Sequence, residues 1–384
     1  MDSISWLSHG MPSFLFWNKR SADGDLRATD PLGFDALREA MSNGLVPLLT
    51  GATGDADEYL WTMIGLRWAK AVTQSAVDAD LFEQGFARFE RALKQFWYKT
   101  GASGQRRIAG IQVVKVLCAG TQPNVTRPIL ANQRATGLLG NYIVSLRELG
   151  LVKRGSLQPV EAEVDRLLID VEFPNGHAWY KKWETLDETC NSVKLQKARK
   201  ALGERLFGYS DDRMHYAARA VLGRPDAESW SQIELAQLDV EQRTLARATD
   251  IVTQLELAAL QIFADALHGA RTVSASDAAR LRQLASATLK AKPFPASWQR
   301  GNSLAAALQR GISGLAEGGR PLETVHRLHL AVTRDVRGGT PWLHMIGDRP
   351  HLFAGWKPGN QARDFRFANL KSLIKQTGWK AHAR

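Results

Sequence analysis

Asn141-Tyr142-Ile143-Val144-Ser145-Leu146-Arg147-Glu148-Leu149-Gly150-Leu151-Val152 holds a helix, its stop and the start of an extended run. With Leu138 just upstream, Leu138, Tyr142, Leu146 and Leu149 recur at three- and four-residue spacing, so one stripe of that helix is apolar and faces a core. Gly150 follows the last periodic residue, where a left-handed residue ends a helix at least cost. Leu151-Val152 then extends, Lys153-Arg154-Gly155-Ser156 makes a basic turn, and Leu157 to Val160 returns. Upstream, Arg107 to Ala119 is expected to form a first helix with Ile108, Ile111, Val114 and Leu117 on one face. Gly120 to Pro123 breaks it, and Val125 to Asn132 is read as a short middle helix. Helices followed by two short strands with a basic tip make the pattern of a winged helix-turn-helix, expected over residues 105–172.

Subtracting the core face leaves Asn132, Gln133, Arg134, Thr136, Asn141, Arg147, Lys153 and Arg154. Lysine and arginine neutralise phosphate, and asparagine, glutamine and arginine can read base edges. Double-stranded DNA is therefore the expected partner of this segment. The competing reading is a winged helix that docks protein, because a Leu-Arg-Glu-Leu-Gly-Leu run is demanded by packing alone.

The distribution of charge favours a polyanion partner. The net charge is +11, and residues 320–384 carry 12 Lys/Arg against four Asp/Glu, while residues 1–100 carry 10 against 13. Basic residues gathered in particular segments are the footprint of a polyanion binder. A secondary basic patch is expected from Lys181, Lys182, Arg337, Arg349, Lys357, Arg363, Arg366 and Lys371. Trp179-Tyr180-Lys181-Lys182-Trp183 interleaves rings and cations and can stack on bases, although such a cluster more often starts a half-buried helix. Lys194, Lys197, Arg199, Lys200 and Arg205 follow on a helical stretch with few acids.

At 384 residues the chain is long enough for several cores. No apolar run approaches the ~18 residues of a membrane span, and Phe14-Leu15-Phe16-Trp17 is too short for a signal core. Cys118 and Cys190 make neither a disulfide framework nor a zinc site. A cytoplasmic protein is expected. Four segments are drawn: a helical one over 1–104, the winged helix over 105–172, a long-helix segment over 173–292 and a basic C-terminal module over 293–384.

Within the first segment, Phe82, Phe86, Phe89, Leu93 and Trp97 form an aromatic stripe of core type on a helix from Asp80 to Lys99. Leu32-Gly33, then Pro47-Leu48-Leu49-Thr50 and Thr53, then Tyr59 and Trp61 on an aromatic helix resemble the start of an uncharacterised family encoded in bacterial restriction and anti-phage islands. The family's loop runs Leu-(x)-Pro-Gly-Thr-Ser-Thr, and this chain departs from it because no Pro-Gly follows Leu48. The resemblance covers the first quarter. It implies a defence-associated, helix-rich, non-membrane protein and transfers no catalytic residue.

Further along, Ile233 to Leu267 reads as one or two amphipathic helices with Leu245, Val252, Leu255, Ala259, Ile262, Phe263 and Ala266 as a buried seam. Ser274 caps the next helix, Lys292-Pro293-Phe294-Pro295 is a break, and Pro321 suits a first helical position. Trp342 to Ile346 and His351 to Ala354 flank a turn at Gly347–Pro350 and read as a β-hairpin, followed by a closing helix from Phe365 to Gln376. The fold class expected is mainly α: helical domains around a central winged helix-turn-helix, with a small C-terminal helix plus β-hairpin module.

Motifs for catalysis are missing. No Gly-Lys pair exists for a phosphate-cradling loop, and no Asp/Glu-x-Lys for a restriction-type nuclease core. His-Glu-x-x-His and Gly-x-Ser-x-Gly are absent too. His326, His329, His344 and His351 gather near Arg334, Arg337 and Asp348, where histidine can act as acid or base beside arginine at a phosphate, but His326 and His329 have no accompanying carboxylate at ligand spacing and are read as structural. No cofactor or metal is expected. The sequence points to a non-catalytic DNA-binding component of an anti-phage complex that positions DNA for a partner enzyme encoded beside it. An interaction scaffold and a nuclease subunit are the alternatives.

Overall fold

In the computed structural model the chain is mainly helical. The structure describes residues 30, 32–50, 52–73, 79–101, 110–209, 211–267, 272–291, 293–294, 302–336, 343–346, 349–352 and 365–381. Phe14–Trp17, Ile108, Arg337, Gly347, Asp348, Lys357 and Arg363 lie outside them, as do Lys292 and Pro295. In chain order the helices are α1 (Phe34–Leu45), α2 (Ala56–Thr73), α3 (Ala79–Lys99), α4 (Ile111–Cys118), α5 (Gln133–Thr136), α6 (Leu138–Glu148), α7 (Glu161–Leu167), α8 (Trp183–Ser192), α9 (Gln196–Gly203) and α10 (Asp212–Gly223). They continue as α11 (Val240–Leu267), α12 (Ala275–Ala291), α13 (Ser303–Glu317) and α14 (Pro321–Leu330). Strands β1 (Leu343–Ile346) and β2 (Arg349–Leu352) precede α15 (Phe365–Thr377).

The chain divides into two compact units. One comprises Met1–Leu45 with Asp226–Phe367, the other Val46–Pro225 with Ala368–Arg384. Each is assembled from separated segments, where the sequence reading drew four consecutive ones.

The first unit is organised on α11, which at 1.5 Å per residue is about 42 Å long. Its seam residues Val252, Leu255, Ala259 and Ile262 are buried and Leu245 is partly so; the side chains of Phe263 and Ala266 lie outside the described residues. The seam shares a core with Leu37 and Met41 of α1, Leu281 and Ala285 of α12, Leu308 and Ile312 of α13, and Leu328 of α14. A Cβ added at Gly311 would lie 2.9 Å from Leu328, so α13 and α14 approach closely only without a side chain there. Helix ends follow the expected chemistry. Asp277 N–H donates to Ser274 Oγ at 3.1 Å, and Pro321 opens α14. Asn302 Oδ1 accepts from Leu304 and Ala305 N–H at 3.0 and 3.1 Å. Strands β1 and β2 pair antiparallel with His344 opposite His351; their side chains are not among those described.

The second unit has α2 at its centre. Tyr59, Leu60, Met63, Ile64, Leu66 and Trp68 are all buried, as a helix apolar on every side requires. Against it lies the aromatic stripe of α3, with Phe82, Phe86, Phe89, Leu93 and Trp97 buried. A Cβ at Gly65 would fall 2.6 Å from the Phe89 ring, so the glycine sets the approach of α2 to α3. Trp179 packs 5.0 Å from Phe173 and 5.5 Å from Phe89, measured between ring centroids. Trp183 is buried too, with its Nε1–H donating to Gly120 O at 3.0 Å. The two tryptophans weighed as a base-stacking platform are thus core residues, and only Lys181 and Lys182 of that cluster stand exposed. Among the described residues no helix is long and apolar enough to cross a membrane.

Candidate nucleic-acid interface

The segment between α4 and α6 carries little helix of its own and is held by polar side chains of α3. Gln95 accepts from Asn124 N–H at 3.0 Å and donates to Asn124 O at 2.9 Å. Arg91 donates to Val125 O at 2.8 Å, Thr126 O at 3.1 Å and Gln133 Oε1 at 3.0 Å. Asn124 Oδ1 accepts from Thr126 and Arg127 N–H, each at 3.1 Å, closing an Asx turn. With its backbone committed in this way, Val125–Asn132 is not the middle helix the sequence suggested. The helix there is α5, four residues at Gln133–Thr136. The expected face of the first helix also changes, because Ile111 is exposed while Val114 and Leu117 are buried.

Glu90 completes this clamp. It is 1% exposed, and Oε1 accepts from Leu138 N–H at 2.8 Å, satisfying one of the orphan donors that open α6. Gln133 Nε2 donates to its Oε2 at 3.0 Å, and Lys94 Nζ lies 2.6 Å from Oε1. A Cβ on Gly137 would come 2.5 Å from Glu90 Oε2, so only glycine leaves room for the carboxylate beneath the helix start.

Along α6, Leu138, Tyr142 and Leu146 are buried, with Leu149 beyond them. Tyr142 donates to Glu58 Oε2 at 2.7 Å; burial first, and then the Glu58 carboxylate, push its phenol well above the ordinary value. Ser145 Oγ donates to Leu48 O at 2.6 Å. The helix ends in a Schellman arrangement: Leu151 N–H reaches Leu146 O at 2.9 Å, Gly150 N–H reaches Arg147 O at 3.0 Å, and Gly150 has φ +70°. Arg205 donates to Leu149 O at 2.7 and 2.9 Å and to Glu163 at 3.0 Å, tying off the same end.

Beyond Gly150 the chain doubles back. Val152 bridges Pro159, Lys153 N–H donates to Gln158 O and Val160 N–H to Leu151 O, both at 2.9 Å. Gly155, at φ +73°, makes the turn. Arg147 is the strut between helix and turn, donating to Ser156 O through Nη2 at 2.7 Å and Nε at 3.2 Å.

The eight candidate residues therefore divide. Gln133 and Arg147 are spent on the protein's own groups. Asn132 is exposed, and Thr136 is half-buried with its hydroxyl on Asn132 O. Arg134 is exposed and 3.2 Å from Glu83, a surface pair worth about 0–1 kcal/mol and readily exchanged. Asn141 is half-buried on the outer side of α6, and Lys153 is exposed at the turn. Arg154 is 86% exposed, with Glu148 no nearer than 4.0 Å.

Of the secondary patch, Lys181, Lys182 and Lys371 belong to the second unit, Arg349 and Arg366 to the first. Arg366 is no surface cation: it is 3% exposed and paired with Glu39 at 2.6 Å. Lys371 is half-buried. The backbone of Arg349 lies in β2, and its side chain is outside the described residues. In the basic stretch after α8, Arg199 forms a two-pronged pair with Asp57 at 2.5 and 2.9 Å, and Lys197 pairs with Asp170. Sequence reading missed Glu90, Arg91 and Gln95; the one signal was a run of polar residues on the reverse of an aromatic stripe.

No grouping suited to catalysis emerges among the described residues. His329 is buried with Nδ1 3.3 Å from Thr333 Oγ1. Asp30, Asp35 and Glu256 bring carboxylate oxygens within 4.8 Å of one another, and Arg38 is paired with Asp35 and Glu256. An open depression of about 550 Å³ is lined by Tyr98, Lys99, Lys115, Cys118 and Ala119. Burial pushes the Cys118 thiol up to about 11, against the opposing pull of Lys99. Comparison of the chain with protein-family models, with curated proteins and with solved structures gives no match.

Proposed function

We propose that residues 111–160 act as a winged helix-turn-helix on double-stranded DNA, with α6 entering the major groove and the 153–156 turn serving as the wing. The observation that carries this is the braced turn: Arg147 fixes it to α6, and Lys153 and Arg154 stand exposed on it. Cations held on a rigid element can neutralise phosphates beside a groove-bound helix. Arg134, beside the start of α6, supplies a further phosphate contact. The wider role is a DNA-binding component of a cytoplasmic anti-phage complex, handing DNA to a partner enzyme of the same operon. That role rests on the N-terminal resemblance. A protein-docking role for the same surface is favoured by one feature, the exposure of Val144 on α6.

Fluorescence titration of labelled duplex across a salt series separates the two. For Lys153→Ala/Arg154→Ala, binding should weaken on every duplex, and the slope of log K against log salt should flatten by about two as two phosphate contacts are lost. Unchanged affinity and slope in the double variant would remove the turn from the DNA site.

A further inference from the structure

With Arg147 withdrawn to Ser156 O, the outer side of α6 has a composition that the sequence alone did not reveal. Asn141, Val144 and Glu148 stand at i, i+3 and i+7 and so share one face. Asn141 is half-buried, Val144 is 52% exposed, and Glu148 is exposed with Arg154 4.0 Å from its carboxylate. The middle of the stripe is therefore an uncovered isopropyl group with an amide one turn before it. The nearby exposed cations, Arg134 before the helix and Lys153 and Arg154 after it, sit at its two ends.

We infer that α6 reads an A·T step, with Asn141 hydrogen-bonding adenine and Val144 packing on the methyl group of the neighbouring thymine. This rests on the DNA-binding reading above. The chemistry is complementary: the asparagine amide can pair with the N6 and N7 of adenine, and the thymine methyl is the one apolar feature of the major groove. The spacing is complementary as well. Three residues of helix rise about 4.5 Å, a little more than the ~3.4 Å between successive bases on a strand, so two side chains at that spacing can reach neighbouring base pairs. Glu148, 4.0 Å from Arg154, closes the stripe at its far end, beside the turn. Arg147 is thereby a positioning residue for the turn and does not read a base.

The experiment is selection of a preferred duplex from a random pool, followed by replacement of each thymine with uracil, which removes the methyl alone. For the wild-type protein, one thymine should prove sensitive, with uracil there weakening binding about fourfold, the worth of one buried methyl group. With Val144→Ala the same replacement should change affinity less than twofold. Asn141→Ala should relax the preference for adenine at the adjacent position by roughly tenfold. Both substitutions should leave the salt slope as it was, since neither removes a charge. Salt-dependent binding with every thymine replaceable by uracil would overturn the inference while leaving the DNA-binding reading intact. Absence of any DNA binding would overturn both.

Discussion

Glu90 offers the sharpest test of how α6 is held. Replacing it by alanine takes the acceptor from Leu138 N–H, from the Lys94 ammonium and from Gln133 Nε2, which were 2.8, 2.6 and 3.0 Å from its oxygens; Gln133 Nε2 keeps Ala87 O at 3.4 Å. Lys94 is itself only 3% exposed, so its ammonium loses its partner away from bulk water. Breaking one side of a buried ion pair costs about 3–5 kcal/mol, and each stranded donor adds a share of about 1–3 kcal/mol. The contributions overlap because all three donors meet one carboxylate. A total of about 4 kcal/mol is expected, roughly a thousandfold in the folded-to-unfolded ratio. At about 2 kcal/mol per molar urea, the unfolding midpoint of the affected unit should fall by about 2 M. Circular dichroism across a urea series, with the full chain, measures it. The companion variant Glu90→Met/Lys94→Leu removes both charges together and should cost less than Glu90→Ala alone, because no ammonium is left unpaired. A loss under about 1 kcal/mol in Glu90→Ala would refute the reasoning, as would a double variant as damaged as the single one, since then the ion pair is not what the carboxylate supports.

Two further outcomes follow from the two units taken separately. Leu255→Asp puts an unpaired carboxylate into the fully buried seam of α11, so it should cost several kcal/mol; a soluble, fully helical variant with an unchanged urea midpoint contradicts this. Cys118, whose thiol is pushed up to about 11 by burial, should react slowly with iodoacetamide at pH 8, where only about a thousandth of it is thiolate. Its rate should climb tenfold per pH unit until about pH 11, and a rate already levelling near pH 9 would show that the thiol is not shielded.

What the sequence discloses here depends on how far away the cause lies. The stripe of α6 and its Gly150 stop are local, set by spacing along one helix and by one left-handed residue, and both stand where periodicity puts them. The aromatic stripe of α3 is visible for the same reason. The polar side of α3 is not, because Glu90 receives Leu138 N–H from 48 residues onward and Gln95 holds Asn124 from 29. Without those partners Val125–Asn132 looks like a helix, and with them its backbone is already committed elsewhere.

The same asymmetry governs charge, and it decides which cations are eligible to meet a polyanion. Composition counts Arg147, Arg199, Arg205 and Arg366 alongside Lys153, Arg154, Lys181 and Lys182. The first four donate to Ser156 O, Asp57, Leu149 O with Glu163, and Glu39 respectively; the other four stand exposed. Among these eight the division follows side-chain chemistry as well as position, while elsewhere Lys94 is a buried, paired ammonium and Arg134 an exposed guanidinium. The planar, multiply donating guanidinium suits fixed carboxylates and carbonyls, whereas a lysine ammonium is a more strongly hydrated point charge. Arg154 is the exception among these eight: it lies beyond α6 and is 86% exposed, with the Glu148 carboxylate 4.0 Å away. A basic segment is therefore a guide to nucleic-acid contact only after its arginines have been matched to the protein's own acceptors, and in the 153–156 turn Lys153 and Arg154 both stay exposed.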